Sequence, residues 1–420
     1  MAKDRVIFHC DCNSFYASVE LLHHPQLRNV PMAVCGDPEQ RRGVILAKNE
    51  AAKRLGVRTA QSVYEALRIC PKLALVPPHH REYRRFSRQI NAIYAQYTDR
   101  VEPFGIDESW LDMTGTWHLF GPSPAAVADL LRARVKAETG LTISVGVSFN
   151  KVFAKLGSDY RKPDATTVIL QQDVARIVWP LPADALLYVG RAAKEALRRM
   201  GVETIGQLAA ADPAALTAAL GKLGGQLSQY ARGEDVSEVR RAGDEREVKS
   251  VGNGLTFRRD LVGEADVRAG LAALADEVAS RLRRYGLVCR AVQVTIKDPS
   301  LKSIQRQKHL DAPTCLARTI GAAALALVRA NWDLRRPIRM LTVTALEVSG
   351  EDEPEQLSMF EAAAPQKSDE KRERLERSLD AIRRKYGKNS IAAADVLKND
   401  IGLEGIEMEQ SAPGEEGETE

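Results

Sequence analysis

A chain of 420 residues, 44% hydrophobic and 28% charged, is long enough to bury more than one core, because single cores stop growing near about 250–300 residues. Its net charge of +4 divides unevenly: residues 1–245 carry 32 Lys+Arg against 27 Asp+Glu (+5), residues 246–349 carry 18 against 10 (+8), and residues 350–420 carry 10 against 19 (−9), a pattern that suggests polyanion binding upstream of an acidic, peptide-like tail. The apolar run Val6–Phe8 fits no secretory leader, Thr319–Val328 is half the length of a membrane span, and six cysteines (10, 12, 35, 70, 289, 315) without CxxC pairs or zinc-spaced histidines point to a reducing cytosol rather than disulfides or structural zinc.

Residues 5–12 (RVIFHCDC) read as an apolar strand ending on a carboxylate, followed by helical spacing from Phe15 to His23. Pro31–Cys35 and Gly43–Leu46 read as short strands, and Asn49–Leu55 as a helix stopped by Gly56. Ser87–Tyr97 repeats apolar residues at helical period, and Arg100–Phe104 with Trp110–Met113 flank a turn as a strand pair. Thr142–Val147 alternates as a strand and Asn150–Tyr160 follows as a helix, so residues 1–175 are expected to be an α+β domain without a Rossmann glycine fingerprint. From Ile177 to Gly233 short Ala/Leu/Arg-rich helices are broken by glycines, and LYVGRAAKEALRRMG and LGKLGGQLSQYARG each set a glycine turn before a helix, where turn amides can receive a phosphate. Such helices also serve as plain packing units. Residues 236–249 look like a polar linker, and 250–348 read strand, helix, strand, strand, helix, strand, with helices over 265–285 and 314–331. Beyond Ser349 only residues 369–398 regain helical periodicity.

Transfer of a nucleotidyl group uses two metal ions about 3.5–4 Å apart bridged by carboxylates, and Mg²⁺ prefers oxygen ligands. Asp11 at the end of an apolar strand, and Asp107 and Glu108 in a turn after Gly105, offer such a set. Singly, each is an ordinary strand-end or turn acid. In combination, HCDCNSFYASVE, GIDESWLD and SVGVSFNKVFAKLGSDYRKPD, in that order at intervals of about 95 and 35 residues, resemble the Y-family DNA polymerases, in their bacterial DNA polymerase IV branch, from about residue 5 to 348.

The resemblance implies catalytic, metal-binding roles for Asp11, Asp107 and Glu108 with two Mg²⁺ ions, and a further metal contact from the Cys12 carbonyl. It places Tyr16 under the incoming sugar as a steric gate against a 2′-OH, Lys162 on the nucleotide phosphates, Tyr83 near the nucleotide, and Ser109 towards the primer end. Where the family pattern is asparagine-tyrosine-glutamate-alanine-arginine, the chain is aligned as Lys48-Asn49-Glu50-Ala51-Ala52. Lys48 and Ala52, four apart on a helix, would share a face, and Lys48 would substitute for the missing arginine as a dNTP contact.

The implied architecture is an α+β right hand. Residues 1–175 form the palm with fingers over about 28–80, 176–240 a helical thumb, 241–249 a linker, 250–349 a C-terminal α/β little finger on DNA, and 350–420 the tail. Gln356, Leu357, Met359 and Phe360 of QLSMF resemble a sliding-clamp-binding peptide, whose apolar anchors would fill a pocket on the partner. The expected protein is a cytoplasmic, nucleoid-associated monomer binding primer-template DNA and dNTPs, with low fidelity, lesion bypass and no proofreading. A DNA-binding scaffold without catalysis and a two-metal nuclease are the competing readings; retention of all three acids with Tyr16 and Lys162 speaks against the first.

Overall fold

The computed structural model describes residues 5–37, 39, 41, 43–244, 247–351, 367–387, 390–391 and 400–403. They divide into one compact unit of Met1–Gly36 with Val44–Asp244, and a second of Asp37–Gly43 with Glu245–Glu420. Among the described residues no helix is long and apolar enough to cross a membrane.

In the first unit, β1 (Ile7–Cys12) is buried along its whole length at the centre of a five-stranded sheet, and it carries two polar residues, His9 and Asp11, into that buried position. After α1 (Phe15–His23) come β2 (Met32–Cys35), β3 (Ile45–Lys48), α2 (Glu50–Arg54), α3 (Val63–Ile69) and β4 (Ala74–Val76). The three strands form a separate small sheet, ordered β3-β2-β4. Helix α4 (His80–Tyr94) turns Tyr83, Phe86, Ile90, Ile93 and Tyr94 inward at three- and four-residue spacing. A hairpin of β5 (Val101–Pro103) and β6 (Glu108–Asp112) leads to α5 (Pro124–Thr139), β7 (Ile143–Ser148), α6 (Lys151–Tyr160) and β8 (Thr166–Ile169). The large sheet is ordered β5-β6-β1-β7-β8, with β1 antiparallel to both β6 and β7. Helix α6 lies so close to this sheet that only glycine fits at Gly146: a Cβ there would stand 1.8 Å from the Ala154 carbonyl oxygen.

Beyond Ile169 the chain turns to short helices, α7 (Arg191–Arg199), α8 (Ile205–Ala210), α9 (Pro213–Leu220) and α10 (Lys222–Arg232), around Leu197, Ile205, Leu208, Leu216 and Leu227. Gly190 and Gly221 stand at the N-caps of α7 and α10, matching the two glycine turns expected from the sequence. The stretch read as the start of a linker is docked instead. Val239 is fully buried, Ser237 accepts from Arg5 at 2.7 Å, and Arg240 and Lys151 grip buried Glu102 at 3.1 and 2.6 Å. One valine among charged neighbours has no periodicity to betray it.

The second unit follows the expected order: β9 (Ser250–Leu261), α11 (Gly263–Arg284), β10 (Leu287–Lys297), β11 (Ser303–Thr314), α12 (Ala317–Asn331) and β12 (Ile338–Gly350). Its antiparallel sheet is ordered β11-β10-β12-β9, and α11 and α12 share a core with it through Phe257, Leu274, Val278, Val294, Ile320 and Val343. Among the described residues the last helix is α13 (Lys367–Tyr386), which matches the start of the periodicity read over 369–398; residues 388–389 and 392–399 lie outside the described residues. The helix is held by charge. Arg283 of α11, its side chain 2% exposed, meets Glu376 and, at 2.7 Å, Asp380, while Arg383 meets Asp276 at 2.8 Å. Farther on, Ile401 and Leu403 enter the domain core, and the Ile401 carbonyl accepts from Arg258 N at 3.0 Å.

Candidate active site

The acids meet because of strand register. Asp11, at the end of β1, lies directly opposite Glu108, the first residue of β6. The turn between β5 and β6 is closed by Phe104 N donating to Glu108 O at 2.8 Å, and Gly105 supplies its positive φ of 85°. Cys12 N donates to Asp107 O at 3.0 Å, which pins the turn beside Asp11. The structure thus brings Asp11, Asp107 and Glu108 to one end of the sheet.

Helix α6 and the turn after it add two cations. Lys162 Nζ lies 2.5 Å from Asp11 Oδ2 and 2.7 Å from Asp159. Lys155 contacts Glu108 and stands 4.0 Å from Asp11. Burial pushes Asp11 up, with the Glu108 charge adding to it and Lys162 opposing. Burial and the Glu108 charge push Asp107 up to about 6. Glu108 is held low despite its own burial, by contacts from His9 and Lys155. Two carboxylates that resist ionisation beside one that does not form a site poised to receive positive charge.

Tyr16, half-buried on α1, stacks on Tyr83 with ring centroids 4.0 Å apart and 13° between planes, and meets His80 edge-on at 5.8 Å. Tyr83 is itself fully buried and donates its hydroxyl to buried Glu20, which also takes His79 at 2.9 Å. The expectation of Tyr83 as a nucleotide contact is therefore corrected: it is the shelf beneath Tyr16, since α4 turns it inward. Ser109, expected towards the primer end, is likewise buried, and its hydroxyl donates to Asn91 of α4 at 2.7 Å.

The fingers reading changes too. Lys48 ends β3 and donates to Thr59 at 3.0 Å, while partial burial lowers its pKa. Asn49 is the N-cap of α2, accepting from Ala52 N at 3.0 Å. Lys48 and Ala52 therefore share no helix face, and Ala52 is completely buried. Gln356, Leu357, Met359 and Phe360 lie outside the described residues.

His9, Lys155 and Ser158 were missed in the sequence. His9 precedes Asp11 by two on a strand, and so shares its face; Lys155 and Asp159 share a face of α6, four apart. Burial brings His9 down to about 4. Its Nδ1 lies 2.8 Å from Ser158 Oγ, and its Nε2 stands 3.2 Å from a Glu108 oxygen, too oblique for a good hydrogen bond.

Three acids converge at one end of a sheet whose domain is followed in the chain by a helical segment and a second α/β domain, and the comparisons with known proteins give this arrangement its class. Residues 10–159 match the impB/mucB/samB family, and residues 248–359 match the C-terminal domain of that family. The chain is 44% identical to the DNA polymerase IV of Acetivibrio thermocellus, covering 96% of this chain and 100% of that one, and 36% identical to the DNA polymerase IV of Clostridium kluyveri, covering 94% and 98%. A solved Y-family DNA polymerase chimera, Dbh-Dpo4(243-245)-Dbh, shares the fold at a TM-score of 0.71 and 21% identity, over 82% of this chain and 99% of that one. The chain belongs to the Y-family DNA polymerases, in their DNA polymerase IV branch, and is a DNA-directed DNA polymerase.

Proposed function

We propose that the protein extends a primer by nucleotidyl transfer from dNTPs with two Mg²⁺ ions held by Asp11, Asp107, Glu108 and the Cys12 carbonyl. The observation that carries this reading is the convergence of the three carboxylates, with Lys155 and Lys162 among them. The donor set fits the ion, because carboxylate and carbonyl oxygens suit a hard cation that keeps waters and phosphates in its shell. When bound, such ions offset charge on the attacking and leaving oxygens. Lys162 meets the triphosphate as a point charge, and the Tyr16 ring, held by Tyr83, closes the space a 2′-OH would need. In the fingers Lys48 is one candidate cation. Asn49 suits the asparagine that opens the family pattern better than Lys48 does, which moves the closing cation from Ala52 to exposed Lys53.

In this reading residues 1–175 are palm and fingers, 176–240 thumb, 241–249 linker and 250–349 a little finger whose exposed edge strand, β11, offers Lys308 and Arg306 to DNA phosphates. The small three-stranded sheet encloses a nascent pair loosely, which suits low-fidelity bypass synthesis without proofreading. The protein works as a cytoplasmic monomer at the nucleoid, recruited to a sliding clamp through Gln356–Phe360.

Asp107→Asn tests the core of the reading. Primer extension should fall below a few per cent, with primer-template Kd within about two-fold, since DNA affinity comes from cation–phosphate contacts. Burial raises the Asp107 pKa above its unfolded value, so ionisation at pH 8 costs the fold stability, and that cost fades as pH falls through about 6. Asparagine removes it, so the metal-free Tm at pH 8 should rise while extension is lost. Extension near the parent rate would refute the assignment.

A further inference from the structure

The imidazole of His9 lies behind the acids, wholly buried, and its surroundings leave it little choice of role. On one side Nδ1 is 2.8 Å from Ser158 Oγ; on the other Nε2 is 3.2 Å from Glu108 Oε2. The ring packs edge-on against Trp110 at 5.3 Å, which fixes its plane. Ser158 has one hydroxyl proton and two neighbours for it, His9 Nδ1 and the Lys155 carbonyl at 2.7 Å. That carbonyl lies inside α6, where the amide four residues on supplies its usual partner. Were the serine proton spent there, His9 would carry its hydrogen on Nδ1 and aim a bare Nε2 lone pair at a carboxylate. The opposite tautomer leaves the better pairing: Ser158 donates to Nδ1, and Nε2–H faces Glu108 Oε2 at 3.2 Å, an oblique approach that is electrostatically favourable where a bare lone pair would be repulsive.

We propose that His9, oriented by Ser158, is the positioning residue for Glu108, holding Oε2 from behind so that the other oxygen is turned towards the ion site. Lys155 also touches Oε2, but from a flexible stem with 16% of its side chain exposed and with Asp11 and Asp159 within 4.0 Å as other partners. His9 is fully buried with its ring edge-on against Trp110 and its Nδ1 against Ser158, so its position is the more fixed of the two. Glu108 opens β6 beside a glycine turn, where the backbone alone orients its side chain weakly; a fixed donor two residues upstream of Asp11 couples the two acids across the strand pair. Outer-shell donors of this type change metal affinity or activity by about 10–100-fold when removed.

This rests on Glu108 as a metal ligand, and the experiment separates the two ideas. Mn²⁺ binding to the full-length protein on primer-template DNA is followed by the free-ion EPR signal, alongside single-nucleotide insertion kinetics. His9→Leu, which fills the space without a donor, should weaken Mn²⁺ binding about ten-fold and lower kcat about 10–100-fold, with the dNTP KM and primer-template Kd unchanged. His9→Gln, whose amide N–H reaches the place of Nε2–H, should recover most of both, and Ser158→Ala should show a several-fold loss of the same kind. If His9→Leu does not fold, Ser158→Ala carries the test, and an unchanged Mn²⁺ affinity there overturns the proposal. Unchanged Mn²⁺ affinity in folded His9→Leu, or glutamine and leucine variants equally impaired with matched falls in Tm, would make His9 a packing residue. Glu108→Ala that still binds Mn²⁺ normally would instead overturn the ligand reading beneath it.

Discussion

Replacing Glu376 and Asp380 by alanine removes both carboxylates from Arg283 and leaves a guanidinium buried in α11, with the Cys315 carbonyl at 2.8 Å as its remaining acceptor among the described residues. Breaking a buried pair costs about 3–5 kcal/mol, because the remaining charge stays desolvated without a counter-ion. Glu376 also accepts from Ala317 N at 3.0 Å, capping α12 where Leu316 has no side chain able to do so, and losing a cap adds about 1 kcal/mol. The double variant should therefore lose about 4–6 kcal/mol of local stability, and Glu376→Ala alone, with Asp380 still paired, about 2–3 kcal/mol. At about 1.4 kcal/mol per factor of ten, amide exchange in α11 and α12 should accelerate by about three to four orders of magnitude in the double variant. Hydrogen exchange read by mass spectrometry on the full-length protein measures this without assuming two-state unfolding of a multidomain chain. Adding Arg283→Met should recover most of the loss, since an apolar side chain of similar volume needs no partner. Exchange in α11 and α12 unchanged by the double substitution, or no recovery with Arg283→Met, would refute the view that α13 is part of this domain. The same argument makes truncation before Gln356 a poor test of clamp binding, because it removes the brace along with the peptide.

Point substitutions serve better there: Leu357→Ala with Phe360→Ala should leave distributive synthesis intact and abolish stimulation by the cognate clamp in a primer-extension assay, since apolar anchors dominate such contacts. Unaltered stimulation would move the contact elsewhere. Tyr16→Ala should raise the ratio of ribonucleotide to deoxynucleotide insertion by about two orders of magnitude or more in single-nucleotide kinetics, a gain of about 3 kcal/mol in transition-state binding. If both efficiencies fall together, the ring supports the core and does not police the sugar.

Much of this was written in local pattern. Period-two and period-3.6 apolar spacing located the strands and helices of the second unit in the right order, because each element buries one face and that face repeats. The acids at 11, 107 and 108 are each ordinary alone and could be picked out only because the three motifs together resemble the Y-family pattern; the fold sets Asp11 opposite Glu108 across the strand pair. The boundary of β3 was set two residues early, and that small shift put Lys48 on a helix it does not join. Tyr83 carried a motif position but not its burial, which depends on how α4 rolls against α1. What only the tertiary structure decided are the long-range polar pairs: His9 and Lys155 on Glu108, Glu20 beneath Tyr83, and Arg283 with α13, a helix whose purpose the sequence left unread. The physical reason is common to all of them. Burial along an element leaves a periodic mark in the chain, whereas a buried charge finds its partner across more than sixty or more than ninety residues, and no local signal records where that partner will come from.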